Sequence, residues 1–191
     1  ASTTPIIIGT IRKDSDNLFN TAAVLQDGGV ITYRDKAHLP TYDVFDEDRY
    51  FTSAKSIQPI ELNIRGSKYK LGLQVCEDLW DEEYELKVSR ELIQEGAEIL
   101  INISASPFHL NRLYERIELM KDKANNLKCY FIYCNLVGAQ DELVFDGQSC
   151  IISPTCEVVA LYPAFKENIQ VIDMYEGKAV NVPIIAEEEQ I

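Results

Sequence analysis

A layered α/β fold containing both hairpins and crossovers is predicted from three observations. Short β-branched runs outnumber helical patterns, helical patterns separate some of those runs, and tight turns join others. Its 191 residues are enough for one domain with a real core, and 46% hydrophobic and 26% charged residues describe an ordinary globular chain. No repeat or low-complexity linker divides it, so one domain over residues 1–191 is expected.

Taken in order, Ile6–Ile8, Thr21–Leu25 and Val30–Tyr33 read as short strands. The last two flank Gln26-Asp27-Gly28-Gly29, a hairpin turn in which glycine tolerates positive φ. Lys36 to Ser56 is aromatic and charged without periodicity, and is expected to be a long ordered loop. Ile57–Ile64 and Tyr69–Val75 form a second hairpin around Arg65-Gly66-Ser67. A helix is expected from Asp81, whose carboxylate can cap it, to Glu95, with Gly96 just past its end. Ile99–Ile103 is a buried strand. Leu110, Leu113, Ile117, Met120 and Ala124 recur at spacings of three and four, the core stripe of an amphipathic helix. Tyr130–Tyr133, Cys150–Ile152, Val158–Leu161 and Ile169–Ile172 complete the strands.

Composition narrows the function classes. A net charge of −13 argues against a nucleic-acid-binding surface. Part of that charge is the run Glu187-Glu188-Glu189, read as a solvated tail. The longest apolar runs are strand-sized, too short for a membrane span, and Ala1-Ser2-Thr3-Thr4-Pro5 has no signal-peptide character. Five cysteines without CxxC spacing fit reduced thiols in a cytoplasmic protein rather than a disulfide framework or zinc site.

The most informative stretch is Leu71-Gly72-Leu73-Gln74-Val75-Cys76-Glu77-Asp78-Leu79-Trp80. An apolar strand ends at a cysteine and turns at once into acidic residues and a helix-like segment. A strand-to-helix elbow is a recurrent way to expose a nucleophile, although a lone cysteine there is more often a packed core residue. Amide hydrolysis by a thiol also needs a base, an oxyanion pocket and an acid for the departing ammonia. Cys76 can be the nucleophile, with the Glu77 backbone N–H directed at the oxyanion. On pattern alone Lys36 reads as a surface lysine. His38 and His109, the two histidines, lack an evident Asn or Asp partner and read as structural.

Four ordered segments carry a resemblance: residues 36–51 from Lys36-Ala37-His38-Leu39-Pro40 to Arg49-Tyr50-Phe51, Cys76-Glu77-Asp78-Leu79-Trp80, Asn102-Ile103-Ser104-Ala105-Ser106-Pro107-Phe108-His109, and residues 135–149, which include Gln140-Asp141-Glu142-Leu143-Val144-Phe145-Asp146-Gly147. They resemble the nitrilase (carbon–nitrogen hydrolase) superfamily, and within it the glutaminase domain of glutamine-dependent NAD synthetases. The resemblance implies a four-layer α-β-β-α sandwich. It makes Cys76 the nucleophile, Lys36 the oxyanion-stabilising lysine and Glu47 its supporting glutamate. Tyr42, Phe45, Glu77, Ser106 and Arg112 match positions that shape a glutamine pocket. An amino-acid substrate needs an anion for its ammonium and a cation for its carboxylate, and Glu77 and Arg112 have the right charges.

The implied reaction is hydrolysis of the glutamine side-chain amide through a thioester, with ammonia passed to a synthetase domain or subunit. No cofactor is expected for that step; ATP and Mg would belong to a synthetase domain, and no Ser-Gly-Gly loop of that kind occurs here. The family's base is a glutamate before the lysine, whereas the first glutamate here is Glu47, and Asp14, Asp16, Asp27 and Asp35 are the acids upstream of Lys36. The domain is therefore expected to lack its N-terminal strand and helices before Thr4, leaving an apolar face or edge that a companion segment or a homo-oligomer would cover. A stand-alone amidase for another small amide, or a non-catalytic glutamine-binding or assembly domain, are the alternative readings.

Overall fold

The computed structural model describes residues 4–64, 66–173 and 178–180. The tail run Glu187–Glu189 and Arg65 of the predicted turn lie outside the described residues. Three antiparallel strands come first: β1 (Ile6–Asp14), β2 (Asn17–Gln26) and β3 (Gly29–Asp35). The β2–β3 turn is the expected one, with Asp27 and Gly28 both at positive φ (54° and 87°), a geometry that matches strand twist. β1 is three times its predicted length. It pairs residue for residue with β2 up to Asp14↔Asn17, and pairing rather than its own composition extends it.

A second, six-stranded sheet has the order β11-β10-β7-β6-β5-β4. Its strands are β4 (Ile60–Ile64), β5 (Ser67–Val75), β6 (Ile99–Ser104), β7 (Tyr130–Asn135), β10 (Cys150–Ile152) and β11 (Val158–Leu161). β5, β6 and β7 are parallel, and the outer pairings are antiparallel. The parallel strands are linked by crossovers carrying α1 (Val88–Gln94) and α2 (Arg112–Leu127). Two small hairpins complete the structure: β8 (Val137–Gln140) with β9 (Leu143–Asp146), and β12 (Val171–Asp173) with β13 (Lys178–Val180).

The period of two along β5 explains the layering. Leu71, Leu73 and Val75 face the three-stranded sheet and pack with Ala22, Val24, Ile60 and Leu62. On the opposite face, Leu100, Phe131, Tyr133 and Ile152 pack with Val88 and Leu92 of α1 and with Met120 and Ala124 of α2. Gly72 permits the close approach of α1, since a Cβ there would lie 2.6 Å from Leu100 Cδ2 and 3.2 Å from Leu92 Cβ. Gln74 donates from Nε2 to Ser89 Oγ at 2.8 Å and ties strand to helix. The described layers are thus helix, sheet, sheet. Ile6, Ile8 and Ile11 on β1 and Ile31 and Tyr33 on β3 are exposed.

Two helical expectations are corrected. Residues 81–95 are not one helix: Asp81–Glu83 is a 3-10 turn and α1 begins at Val88. Asp81 makes no capping bond at 81–83; its buried carboxylate pairs with Lys123 of α2 through Oδ1 and accepts the Ser89 N–H in the first turn of α1 through Oδ2 at 3.5 Å. Gly96 does end α1, at φ 96°, where its N–H donates to Ile93 O and the Ala97 N–H to Leu92 O. In the second helix, Leu110 is 81% exposed and precedes the first turn, so it is not core. The fully buried positions of α2 are Arg116, Met120 and Ala124.

Candidate active site

Parallel strands place their following loops at one sheet edge, where α/β proteins bind ligands. Cys76 follows β5, Ser106 follows β6 and Asn135 ends β7, while Lys36 follows β3 of the facing sheet. Cys76 opens a 3-10 turn, Cys76–Leu79, at φ 45°, a left-handed conformation that few non-glycine residues adopt. Asn102 of β6 donates from Nδ2 to Cys76 O at 3.2 Å.

Lys36, Phe45, Glu47 and Cys76 line one cleft of about 1020 Å³ between the sheets, together with Ser104 and Asn135. Lys36 is 1% exposed, and its Nζ lies 2.6 Å from Glu47 Oε1. Asn20 of β2 donates from Nδ2 to Glu47 Oε2 at 3.2 Å. The Lys36 backbone is held on both sides, its N–H donating to Asn20 O and its carbonyl accepting from Ala54 N.

Burial pushes the Cys76 thiol above its ordinary range. The Lys36 ammonium and a Ser104 hydroxyl contact pull it down, while Glu77 and Glu47 push it up. Desolvation outweighs the lysine in this cleft.

Glu77 and Tyr42 are brought together. Tyr42 donates its hydroxyl to both carboxylate oxygens of Glu77 (2.9 and 3.0 Å), and Tyr84 donates to Oε1 at 3.1 Å. Burial raises the Glu77 pKa against these bonds. Phe45 meets Tyr42 edge-on with centroids 5.9 Å apart. Tyr84, whose hydroxyl is pushed up to about 12 chiefly by burial, stacks on His38 at 3.9 Å. His38 bonds Leu86 O through Nε2 and has a pKa lowered by burial, consistent with a structural histidine.

Tyr42, Glu77, Ser106 and Arg112 are not among the residues that line the cleft with Cys76. The Ser106 hydroxyl accepts from Arg116 Nη2 at 3.3 Å. The Arg112 guanidinium lies 5.0 Å over the Trp80 ring and pairs with Glu115 at 3.2 Å. Of the upstream acids, Asp14 and Asp35 are both bound to Arg12.

Sequence reasoning missed several contributors. Asp78, inside a quoted motif, is fully buried and accepts backbone N–H groups from Ala37, His38 and Val75. Arg116 is fully buried against Asp146 at 3.0 Å. Asn135 binds Ser106 N, Asp146 Oδ1 and Gly147 O, joining the loops after β6 and β9. An arginine four residues before Met120 on the stripe was the available signal for Arg116; Tyr84 had none.

Two facing sheets with helices on one side, and a thiol at the strand edge beside a buried lysine, define a layered α/β protein of the nitrilase fold. The chain belongs to the carbon–nitrogen hydrolase family, whose model matches residues 3–179. It is 40% identical over 163 residues to the glutamine-dependent NAD(+) synthetase of Aquifex aeolicus, covering 85% of this chain and 28% of that protein. To the synthetase of the same name from Synechocystis it is 34% identical, covering 96% of this chain and 36% of that one. The chain therefore spans about a third of the length of these relatives. The structure of the Acinetobacter baumannii glutamine-dependent NAD+ synthetase superposes with a TM-score of 0.82 at 29% identity, over 98% of this chain and 35% of that one. A carbon–nitrogen hydrolase from Helicobacter pylori superposes at 0.76 and 26% identity, over 86% of this chain and 60% of that one. No helix among the described residues is long and apolar enough to cross a membrane.

Proposed function

We propose that this chain hydrolyses the side-chain amide of glutamine, and that the ammonia serves a synthetase domain or subunit. The observation that carries the reading is the Cys76 elbow opening into the same cleft as the buried Lys36–Glu47 pair. The kinship with glutamine-dependent synthetases supports the choice of substrate.

In this reading the Cys76 thiolate attacks the amide carbon, and the developing oxyanion is stabilised by Lys36. The C–N bond breaks, ammonia leaves with the proton taken from the thiol, and a γ-glutamyl thioester remains. Water then cleaves the thioester to give glutamate and the free thiol. Glu47 holds Lys36 in place. Glu77, braced by Tyr42, receives the substrate ammonium, and Phe45 forms a wall. Ser106 and Arg112 serve the carboxylate end, which requires Arg112 to exchange its Glu115 contact. The reaction uses no cofactor.

The test is production of glutamate and ammonia by the 191-residue chain, with Cys76→Ala as control and asparagine as the competing amide. Turnover of glutamine that disappears with Cys76→Ala is the expected result. Preference for another amide would indicate a stand-alone amidase. Glutamine binding without turnover would show that these residues lack a sufficient proton acceptor, a part general catalysis values at about 10²–10⁴-fold.

A further inference from the structure

We propose that Asp78 is a positioning residue for this reaction, its buried carboxylate fixing the Lys36 loop against the Cys76 elbow. The inference rests on the reading of Cys76 and Lys36 as the reactive pair. Asp78 Oδ1 accepts the N–H groups of Ala37 (2.9 Å) and His38 (3.0 Å), the two residues immediately after Lys36. Its Oδ2 accepts the N–H of Val75 at 3.0 Å, the residue immediately before Cys76. One rigid, fully buried side chain thus spans two segments about forty residues apart in sequence and belonging to different sheets.

The Tyr42–Glu77 bonds also join this loop to the elbow, but they run side chain to side chain and start six residues beyond Lys36, whereas Asp78 grips the backbone directly next to both Lys36 and Cys76. Lys36 itself is tied to Asn20 and Ala54 of its own side of the sandwich, and Glu47 comes from the same long loop. Those contacts set where the ammonium points but not how far it stands from a sulfur carried by the other sheet. Asp78 supplies that constraint at the backbone itself. The Arg34 guanidinium, on a buried residue of β3, lies within electrostatic reach of Asp78 and provides counter-charge for it. Carboxylates bonded to several backbone N–H groups are held strongly and rigidly. A position that must hold two reacting groups in register is where such rigidity affects rate.

The experiment is a double-mutant cycle read without substrate. Cys76 alkylation by iodoacetamide is followed across pH by mass mapping in the full chain, in Asp78→Asn, in Lys36→Met and in the double variant, with exposed Cys134 as internal reference. Asp78→Asn keeps the side-chain shape while replacing one acceptor by an amide donor. It is expected to slow Cys76 labelling at pH 8 by about tenfold, equivalent to one unit in the thiol pKa, and to leave Cys134 unchanged. In the Lys36→Met background the same change is expected to have no further effect, because Asp78 acts through the lysine. Equal slowing in both backgrounds, or labelling like the parent, would overturn the proposal. With glutamine, kcat should fall while KM stays near that of the parent. A parent chain that fails to hydrolyse glutamine would sink the functional reading and leave the labelling cycle to judge Asp78. If Asp78→Asn does not fold, amide exchange in the parent decides: Ala37, His38 and Val75 should open together, and independent exchange would refute the clamp.

Discussion

Lys36 and Glu47 form an ion pair at 2.6 Å in which the ammonium is wholly enclosed and the carboxylate keeps a rim of solvent. The loop joining them, residues 37–46, folds back so that Glu47 N–H donates to Pro40 O, and Asn20 occupies the second carboxylate oxygen. The lysine is therefore held by its own loop and not by the solvent that would ordinarily surround it.

Glu47→Gln tests the pair. It leaves a buried cation without its anion, a change that typically costs about 3–5 kcal/mol, and the partial exposure of Glu47 puts the expected loss at the lower end. Urea unfolding should show it, and glutamine turnover should fall about a hundredfold as Lys36 loses its aim. A variant with the parent's midpoint and rate would remove Glu47 from the site.

The pH response of substrate binding follows from Glu77. Burial raises its pKa, so on acidification it takes up a proton earlier than an ordinary glutamate and loses the charge that would hold a substrate ammonium. KM for glutamine should begin to rise on acidification while the pH is still above the ordinary glutamate range of about 4.3. Glu77→Gln should raise KM at neutral pH and flatten the profile; a parent KM that changes only in the ordinary glutamate range of about 4.3 would contradict the role.

The thiols should separate by environment. Burial pushes Cys129 up to about 11 and Cys150 up to about 12, so both should resist alkylation in the native state. Cys76 is also raised, but Lys36 works against the burial, so it should label ahead of those two and more slowly in Lys36→Met. For stability the sign is fixed by linkage: thiols near 8.5 when unfolded and higher when folded favour the native state below pH 8.5. That contribution is lost as pH rises from there towards 11 and 12. Unfolding free energy should decline from pH 8.5 to 10, and Cys150→Ala should lessen the slope.

Asp146→Ala should be the most damaging change away from the cleft. It strips the fully buried Arg116 of its carboxylate and removes a partner from Asn135, and breaking a buried pair of this kind costs about 3–5 kcal/mol. The midpoint of urea unfolding measures it. A loss under 1 kcal/mol would show that the Ser106 and Pro107 carbonyls satisfy Arg116 unaided.

What the sequence made legible was local or carried by family pattern. The Asp27-Gly28 turn, the Gly96 helix end and the elbow at Cys76 follow from residues adjacent in the chain. The grouping of Lys36, Glu47 and Cys76 was anticipated from the resemblance, and composition alone would have left Lys36 on the surface. Long-range polar contacts stayed hidden. Asp81 pairs with Lys123 of another helix and reaches α1 only at Ser89, so residues 84–87 stay outside α1 and Tyr84 reaches Glu77. Arg116 sits in an otherwise apolar stripe because Asp146, thirty residues on, compensates its charge. The β8–β9 hairpin, which lacks a strong alternating pattern, was not foreseen at all.

The left-handed backbone at Cys76 sets chemistry and durability in opposition. A side chain at φ 45° carries strain of order 1–3 kcal/mol, and glycine would relieve it. Cys76→Gly should therefore melt at a higher temperature than the parent while abolishing the proposed thioester chemistry. Directed evolution selecting only for thermal endurance should drift towards glycine at this position. Retention of a sulfur there would then be a signature of selection for turnover.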